Sequence, residues 1–171
     1  MVKRVLVAYG TKYGATGEIA EKIGEVLQQA GLQVDVMPAD RAGNLSAYQA
    51  AVIGSAVYIG RWRKEAVTLV EANQEVLAER PVWLFSSGPT DEGDPVELLQ
   101  GWRFPNSLQP VVDHIQPRDI AVFHGATDPD KLNFLEKFML NRIKASIGDF
   151  RDWDAITSWA TAIAEELQPE A

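Results

Sequence analysis

Val5-Leu6-Val7-Ala8-Tyr9-Gly10-Thr11-Lys12-Tyr13-Gly14-Ala15-Thr16-Gly17 is the stretch that decides the fold. Its first half is a short, unbroken apolar run stopped by a glycine, the pattern of a strand buried on both faces. Its second half is a loop of glycine and hydroxyl residues. That loop runs into Thr16–Ala30, where Ile19, Ile23, Val26, Leu27 and Ala30 share one helical stripe. The spacing predicts Thr16 as the N-cap of this helix and Gly31 as its C′ stop.

The same alternation continues outward. Leu32–Met37 alternates apolar and polar residues as a half-exposed strand does, and Pro38 closes it. Asp40–Gln49 is a polar connection. Ala50–Ser55, Val82–Phe85 and Ile120–Phe123 read as further buried strands. Lys64–Ala78, Ser107–Ile115, Leu132–Ile143 and Trp153–Leu167 read as helices. Strands alternating with helices imply parallel pairing and right-handed crossovers. The expected fold is therefore α/β, a three-layer doubly wound sheet of five parallel strands in the order 2-1-3-4-5. No repeat or linker breaks the pattern, so residues 1–171 are expected to form one domain. In such sheets the ligand lies beyond the carboxyl ends of the strands. The informative residues should then follow Tyr9, Ile53, Phe85 and Phe123.

Composition narrows the chemistry. The 171 residues carry 24 acidic and 16 basic side chains, a formal charge of −8, without a dense Lys/Arg run. Nucleic-acid binding is not expected, and non-specific attraction to anionic lipid is opposed. There is no cysteine, which removes disulfides, Cys-ligated metals, chain-bound iron–sulfur clusters and thiol catalysis. Only His114 and His124 are present, at a separation that fits no helical metal-ligand pair; a His-rich metal site or a Ser-His-Asp triad would have to be built from these two and is not expected. Any redox chemistry must then reside on a bound organic cofactor. Val5–Ala8 is too short for a signal-peptide core or a membrane span, so a cytoplasmic protein is expected.

Each strand end offers a loop. Thr11, Lys12, Tyr13, Gly14, Ala15 and Thr16 lead into a helix whose N-terminal N–H groups favour an anion. On this loop alone, a phosphate cradle and a plain β–α turn fit equally. The spacing is neither G-x-x-x-x-G-K-[ST] nor G-x-G-x-x-G. Ala8-Tyr9-Gly10 also lacks the carboxylates of a magnesium-binding receiver domain. Ser55, Ala56, Val57, Tyr58, Ile59 and Gly60 follow the next buried strand, where an aromatic shelf could meet a flat ring. For Trp62, packing against the next helix is the favoured role. Ser86, Ser87, Gly88, Pro89 and Thr90 form a further small, polar loop beside the first.

These loops carry a resemblance. Thr11-Lys12-Tyr13-Gly14-Ala15-Thr16 resembles the flavodoxin phosphate loop, Thr/Ser-x-x-Gly-x-Thr, and Gly54–Gly60 and Ser86–Thr90 look like the two loops around the isoalloxazine ring. The likeness spans essentially the whole chain. It is nearest to the flavodoxin-domain group that contains the menaquinone-dependent protoporphyrinogen dehydrogenases. Gly54–Gly60, the His124-Gly125-Ala126 turn and a basic-apolar helix before the last helix all resemble that group. The resemblance implies a flavodoxin-like fold and FMN, with its phosphate on Thr11–Thr16 and its ring between the later loops. Two departures stand out. Tyr13 replaces a hydroxyl residue in mid-loop, and Ala15 offers only its backbone N–H.

Asp91–Arg118 is a long connection whose start, with Asp91, Glu92, Asp94 and Glu97, is acidic. A dianionic porphyrinogen would be repelled there, which counts against that substrate. Trp102 and Phe104 are expected to pack over the sheet edge. The helix Lys131–Lys144 is rich in Leu and Phe, and burial on two sides is its expected state. A membrane-surface face giving access to quinone is the alternative. No side chain reads as an acid–base catalyst, so the expected protein is an FMN oxidoreductase whose flavin does the chemistry. Its expected partner is a redox protein or a quinone. Acidic charge near the ring would lower its reduction potential. The rivals are a flavodoxin-type electron carrier and a binding module without cofactor.

Overall fold

The computed structural model describes residues 3–142 and 148–168 of the chain. In chain order its elements are β1 (Arg4–Gly10), α1 (Ala15–Gln29), β2 (Gln33–Pro38), β3 (Ala50–Tyr58), β4 (Arg61–Trp62), α2 (Lys64–Ala72) and α3 (Gln74–Ala78). There follow β5 (Val82–Ser87), α4 (Pro95–Leu98), α5 (Gln109–Ile115), β6 (Asp119–Phe123), β7 (Ala126–Thr127), α6 (Phe134–Arg142), β8 (Gly148–Asp149) and α7 (Trp153–Leu167).

Five parallel strands form the sheet in the order β2-β1-β3-β5-β6, the doubly wound arrangement read from the sequence. Strand periodicity explains why both faces are covered. Val5 and Val7 point into one core with Ile19, Ile23 and Leu27 of α1 and Ile156, Ala160 and Ile163 of α7. Leu6 and Ala8 point the other way, into a core with Leu69 and Val70 of α2, Leu77 of α3 and Val111 of α5. A strand with no polar face needs helices on both sides.

Local chemistry corrects several boundaries. Gly14, at φ +95°, is the N-cap of α1, and Thr16 lies buried inside the first turn. Only a residue that tolerates the left-handed region can turn the chain this sharply into the helix. At the other end Gly31, also left-handed, lets Leu32 N–H reach Leu27 O, a Schellman-type stop. The helix expected over Lys64–Ala78 breaks at Asn73, whose amide bonds Gly43 O and Leu69 O and whose side-chain oxygen accepts from Leu45 N–H. Instead of ending at Ser55, β3 runs on to Tyr58 and turns back through Ile59-Gly60 into the antiparallel β4. The Asp91–Asn106 connection contains α4, capped by Asp94 with Pro95 in its first turn.

The largest departure is α6. Burial on two sides was expected, yet Phe134, Leu135 and Phe138 are 86%, 64% and 54% exposed. Glu136 is the residue that turns inward, because Lys12 in the loop after β1 offers it an ion pair at 2.7 Å. Among the described side chains of α6, the one that turns inward therefore meets a polar loop. Ile143 and Lys144 lie outside the described residues, as do the side chains of Met139–Arg142.

Candidate functional site

A cleft of about 610 Å³ opens where the carboxyl ends of the central strands meet, a size typical of small-molecule sites. Its position follows from topology: β1 and β3 are neighbours whose following helices, α1 and α2, pass to opposite faces, leaving a crevice between their loops.

The loop after β1 contributes Thr11, Lys12, Tyr13, Ala15 and Thr16 to the lining. Gly14 N–H donates to Thr11 Oγ1 at 2.9 Å, which folds the loop back on itself and leaves the Thr11 hydroxyl proton free to donate elsewhere. No side chain caps α1. The N–H groups of Ala15, Thr16 and Gly17 have no partner among the described residues, since the first intrahelical bond runs from Glu18 to Gly14. Gly14 itself shapes the loop from behind and does not line the cleft.

Ala56, Val57, Tyr58, Ile59 and Gly60 supply a second wall, and Ser87, Gly88, Pro89 and Thr90 a third. The close approach of β3 to β5 requires Gly54, where a Cβ would lie 2.2 Å from the buried Phe85 ring. Two of the residues expected here are elsewhere. Ser55 is fully buried, accepting from Arg63 N–H and donating to Ala56 O, both at 2.8 Å. Ser86 is fully buried as well; its hydroxyl accepts from the Trp62 indole at 2.8 Å and donates to Arg103 O at 2.7 Å. Both hydroxyls are committed to the frame. Trp62 is buried against α2.

Sequence reasoning missed several lining residues. Gly125, Ala126 and Thr127 follow β6, and the strand-end rule that located the other loops points to them equally. Ile59, by contrast, belongs to the loop read from the sequence; it sits at the turn with φ +51° and is 66% exposed. Leu98 and Leu99 of the α4 segment and Leu132 before α6 add apolar surface that no sequence signal distinguished from core. Arg63 and Asp91 also reach the cleft.

Electrostatics centre on Lys12. Its Nζ lies 4.6 Å from the Tyr58 ring centroid and 5.2 Å from that of Tyr13, while bound to Glu136. The hydrogen bond from Lys12 is the main cause that holds the Glu136 carboxyl below the usual carboxylate range. Lys131 Nζ donates to Tyr13 O at 3.1 Å, so the β7–α6 segment grips the loop twice. At the far edge Arg151 binds Asp149 at 2.8 Å, Glu18 at 2.6 Å and Ala15 O at 3.3 Å, tying β8 to the start of α1. Among the described residues no His/Cys/Asp/Glu cluster is arranged to hold a metal.

Fold and site together define a doubly wound cofactor domain whose ligand cleft opens at the strand carboxyl ends. The model of the flavodoxin domain family matches residues 6–154, and the chain belongs to that family. Solved structures agree on the fold. A short-chain flavodoxin associated with a non-canonical PDU bacterial microcompartment matches at TM-score 0.64 and 12% identity, over 98% of this chain and all of that one. Flavodoxin 2 from Bacillus cereus matches at TM-score 0.61 and 19% identity, over 95% and 99% of the two chains. The rubredoxin oxygen:oxidoreductase of Desulfovibrio gigas matches at TM-score 0.61 and 11% identity over 96% of this chain, which spans 36% of that larger protein. No curated protein sequence matches the chain.

FMN is the cofactor that this family membership implies, and with it a flavin-based redox role. The residues present fit such a group. Free helix-terminal N–H groups and two threonine hydroxyls suit a phosphate, and the Tyr13 hydroxyl, buried without a partner among the described residues, leaves a polar atom in the same loop to be satisfied.

Proposed function

We propose that this chain is a single-domain FMN-dependent oxidoreductase, with Thr11–Thr16 holding the phosphate and the 56–60 and 87–90 loops flanking the isoalloxazine ring. The observation that carries the reading is the convergence of three strand-end loops on one cleft beside an uncapped helix N-terminus. Bound FMN supplies one- or two-electron redox chemistry. The chain's own residues orient it: the amides of Ala15–Gly17 and the hydroxyls of Thr11 and Thr16 take the phosphate oxygens, and Tyr58 offers a ring face. The Lys12 ammonium lies over the Tyr58 ring while paired with Glu136, and so holds a cation beside the face that would meet the flavin.

The finer reading joins the chain to the protoporphyrinogen-dehydrogenase-related group, with a quinone or a redox protein as partner and a cytoplasmic setting. Among the described residues no helix is long and apolar enough to cross a membrane. The exposed Phe134, Leu135 and Phe138 beside the cleft favour a second reading, an electron carrier that docks a protein partner there.

Incubation with excess FMN, desalting and an absorption spectrum test the core of the proposal. Retained flavin bands with quenched fluorescence are expected. Thr16→Ala should weaken binding about five-fold for one lost hydrogen bond, and Gly14→Val should weaken it further by straining the left-handed turn. A colourless protein that never takes up FMN would mean a binding module without cofactor. Turnover of protoporphyrinogen with a quinone analogue separates the enzyme from the carrier.

A further inference from the structure

His124 is the buried residue immediately after β6. Its imidazole is enclosed by the 89–93 loop: Nδ1 lies 3.1 Å from Pro89 O and Nε2 lies 2.7 Å from Gly93 O. A carbonyl oxygen only accepts, so each contact needs a proton on the facing nitrogen. Neutral imidazole carries one such proton and imidazolium carries two. In the neutral form one nitrogen lone pair faces a carbonyl lone pair. The arrangement is complete only when the ring is charged.

The charges around the ring agree. Asp91 and Glu92 of the loop, with Asp152 and Asp154 at the start of α7, line the small pocket that His124 faces. Arg151 is the cation in that lining, and it is already neutralised by Asp149 and Glu18. The rest of the loop's attachment is backbone: Gly125 N–H donates to Pro89 O, and Gly88 N–H to Phe123 O. A Cβ at Gly125 would lie 3.2 Å from Gly88 O, so the two turns run close together. Pro89, Thr90 and Asp91 of the held loop line the cleft on its other side.

We propose that His124 is a positioning residue acting as a proton-operated latch, which grips the 89–93 loop through both ring nitrogens and thereby sets one wall of the cleft. The link to flavin affinity rests on the reading of that cleft as the FMN site; the latch itself does not. The grip is complete where both ring nitrogens carry a proton and is lost where one of them gives its proton up.

The chain has only two histidines, so ¹⁵N-imidazole NMR resolves both, with His114→Gln providing the assignment. Two protons on the His124 ring, with the 89–93 amides shifting along the same titration curve, is the expected result. FMN affinity should fall about five- to ten-fold as the ring loses its proton. His124→Gln should flatten that dependence and His114→Gln should leave it in place. A His124 that stays singly protonated while the loop amides hold their positions overturns the latch, as does FMN affinity equal on both sides of the titration. Failure to bind FMN at any pH removes the cleft reading and leaves the imidazole titration to decide the latch. Should His124→Gln fail to fold, the titration in the His114→Gln protein still decides it.

Discussion

On one side of the cleft, the loops after β1, β3 and β5 leave strands whose residues, such as Val7, Ile53 and Leu84, are wholly buried. On the other side, the segment from β7 through α6 to β8 carries exposed phenylalanines and is anchored by Lys131 to Tyr13 O, by Lys12 to Glu136, and by Arg151 to Asp149 and Glu18. The first wall is an extension of the core. The second is a strap held by a few charged hydrogen bonds, each shared with solvent on at least one side. Burial of apolar surface is insensitive to pH and salt near neutrality, whereas ion pairs respond to both. The two walls should therefore fail in different ways.

The core-built wall should give the largest single effect. Gly54→Ala places a methyl group against Phe85, which is boxed in by Phe123 at 5.9 Å and Trp159 at 6.1 Å between ring centroids. The ring cannot swing aside without opening the core, and a loss of about 3 kcal/mol is expected. Urea unfolding measures it, and a loss under about 1 kcal/mol would show that the core yields more readily than its packing implies.

Next comes Arg151→Met. The guanidinium is mostly buried, but its carboxylate partners are more than half exposed, so solvent screens the pairs. A loss of about 1.5 kcal/mol is expected. Faster hydrogen exchange should be confined to β7, β8 and the first turn of α7. Exchange that rises equally in β1 and β3 would mean that strap and frame are one cooperative unit.

The contrast also explains what could be read from the sequence. Strand order, the two-faced core and three of the cleft's loops were legible because they follow from apolar periodicity and from glycines at strand ends. The α6 orientation was not. Its Leu and Phe content matched a buried helix, and only the pairing of Glu136 with Lys12, 124 residues apart, turns the polar side inward. Ser55 and Ser86 were misplaced for a related reason. A hydroxyl beyond a strand looks the same in sequence whether it faces a ligand or a neighbouring indole. Both failures involve long-range polar partners, which leave no periodic trace.

Acid should separate the walls next. Asp149 is held below the usual carboxylate range chiefly by its hydrogen bonds from Arg151, and Glu136 by that from Lys12. Each carboxyl binds its proton more weakly folded than unfolded, so its contribution is present at neutral pH and is lost as pH falls below about 4. Asp35, lowered by Tyr48 and then Arg4, adds the same slope from the frame side. Exchange in α6 and β7–β8 should rise during acidification before that of β1 and β3. Simultaneous loss would erase the distinction between strap and frame.

The smallest effect tests whether the strap acts as a unit. Lys131 is exposed, and its bond to Tyr13 O at 3.1 Å should be worth about 0.5 kcal/mol, near the limit of equilibrium unfolding. Its value lies in combination with Lys12→Gln, which removes the other grip of α6 on the same loop. If the strap docks as one body, losing either lysine already loosens the segment on which the other depends. The double variant should then cost less than the two single changes added together. Additive losses would mean that each lysine fixes its own stretch of chain. In that case the Glu136 contact alone would account for the helix presenting its phenylalanines to solvent.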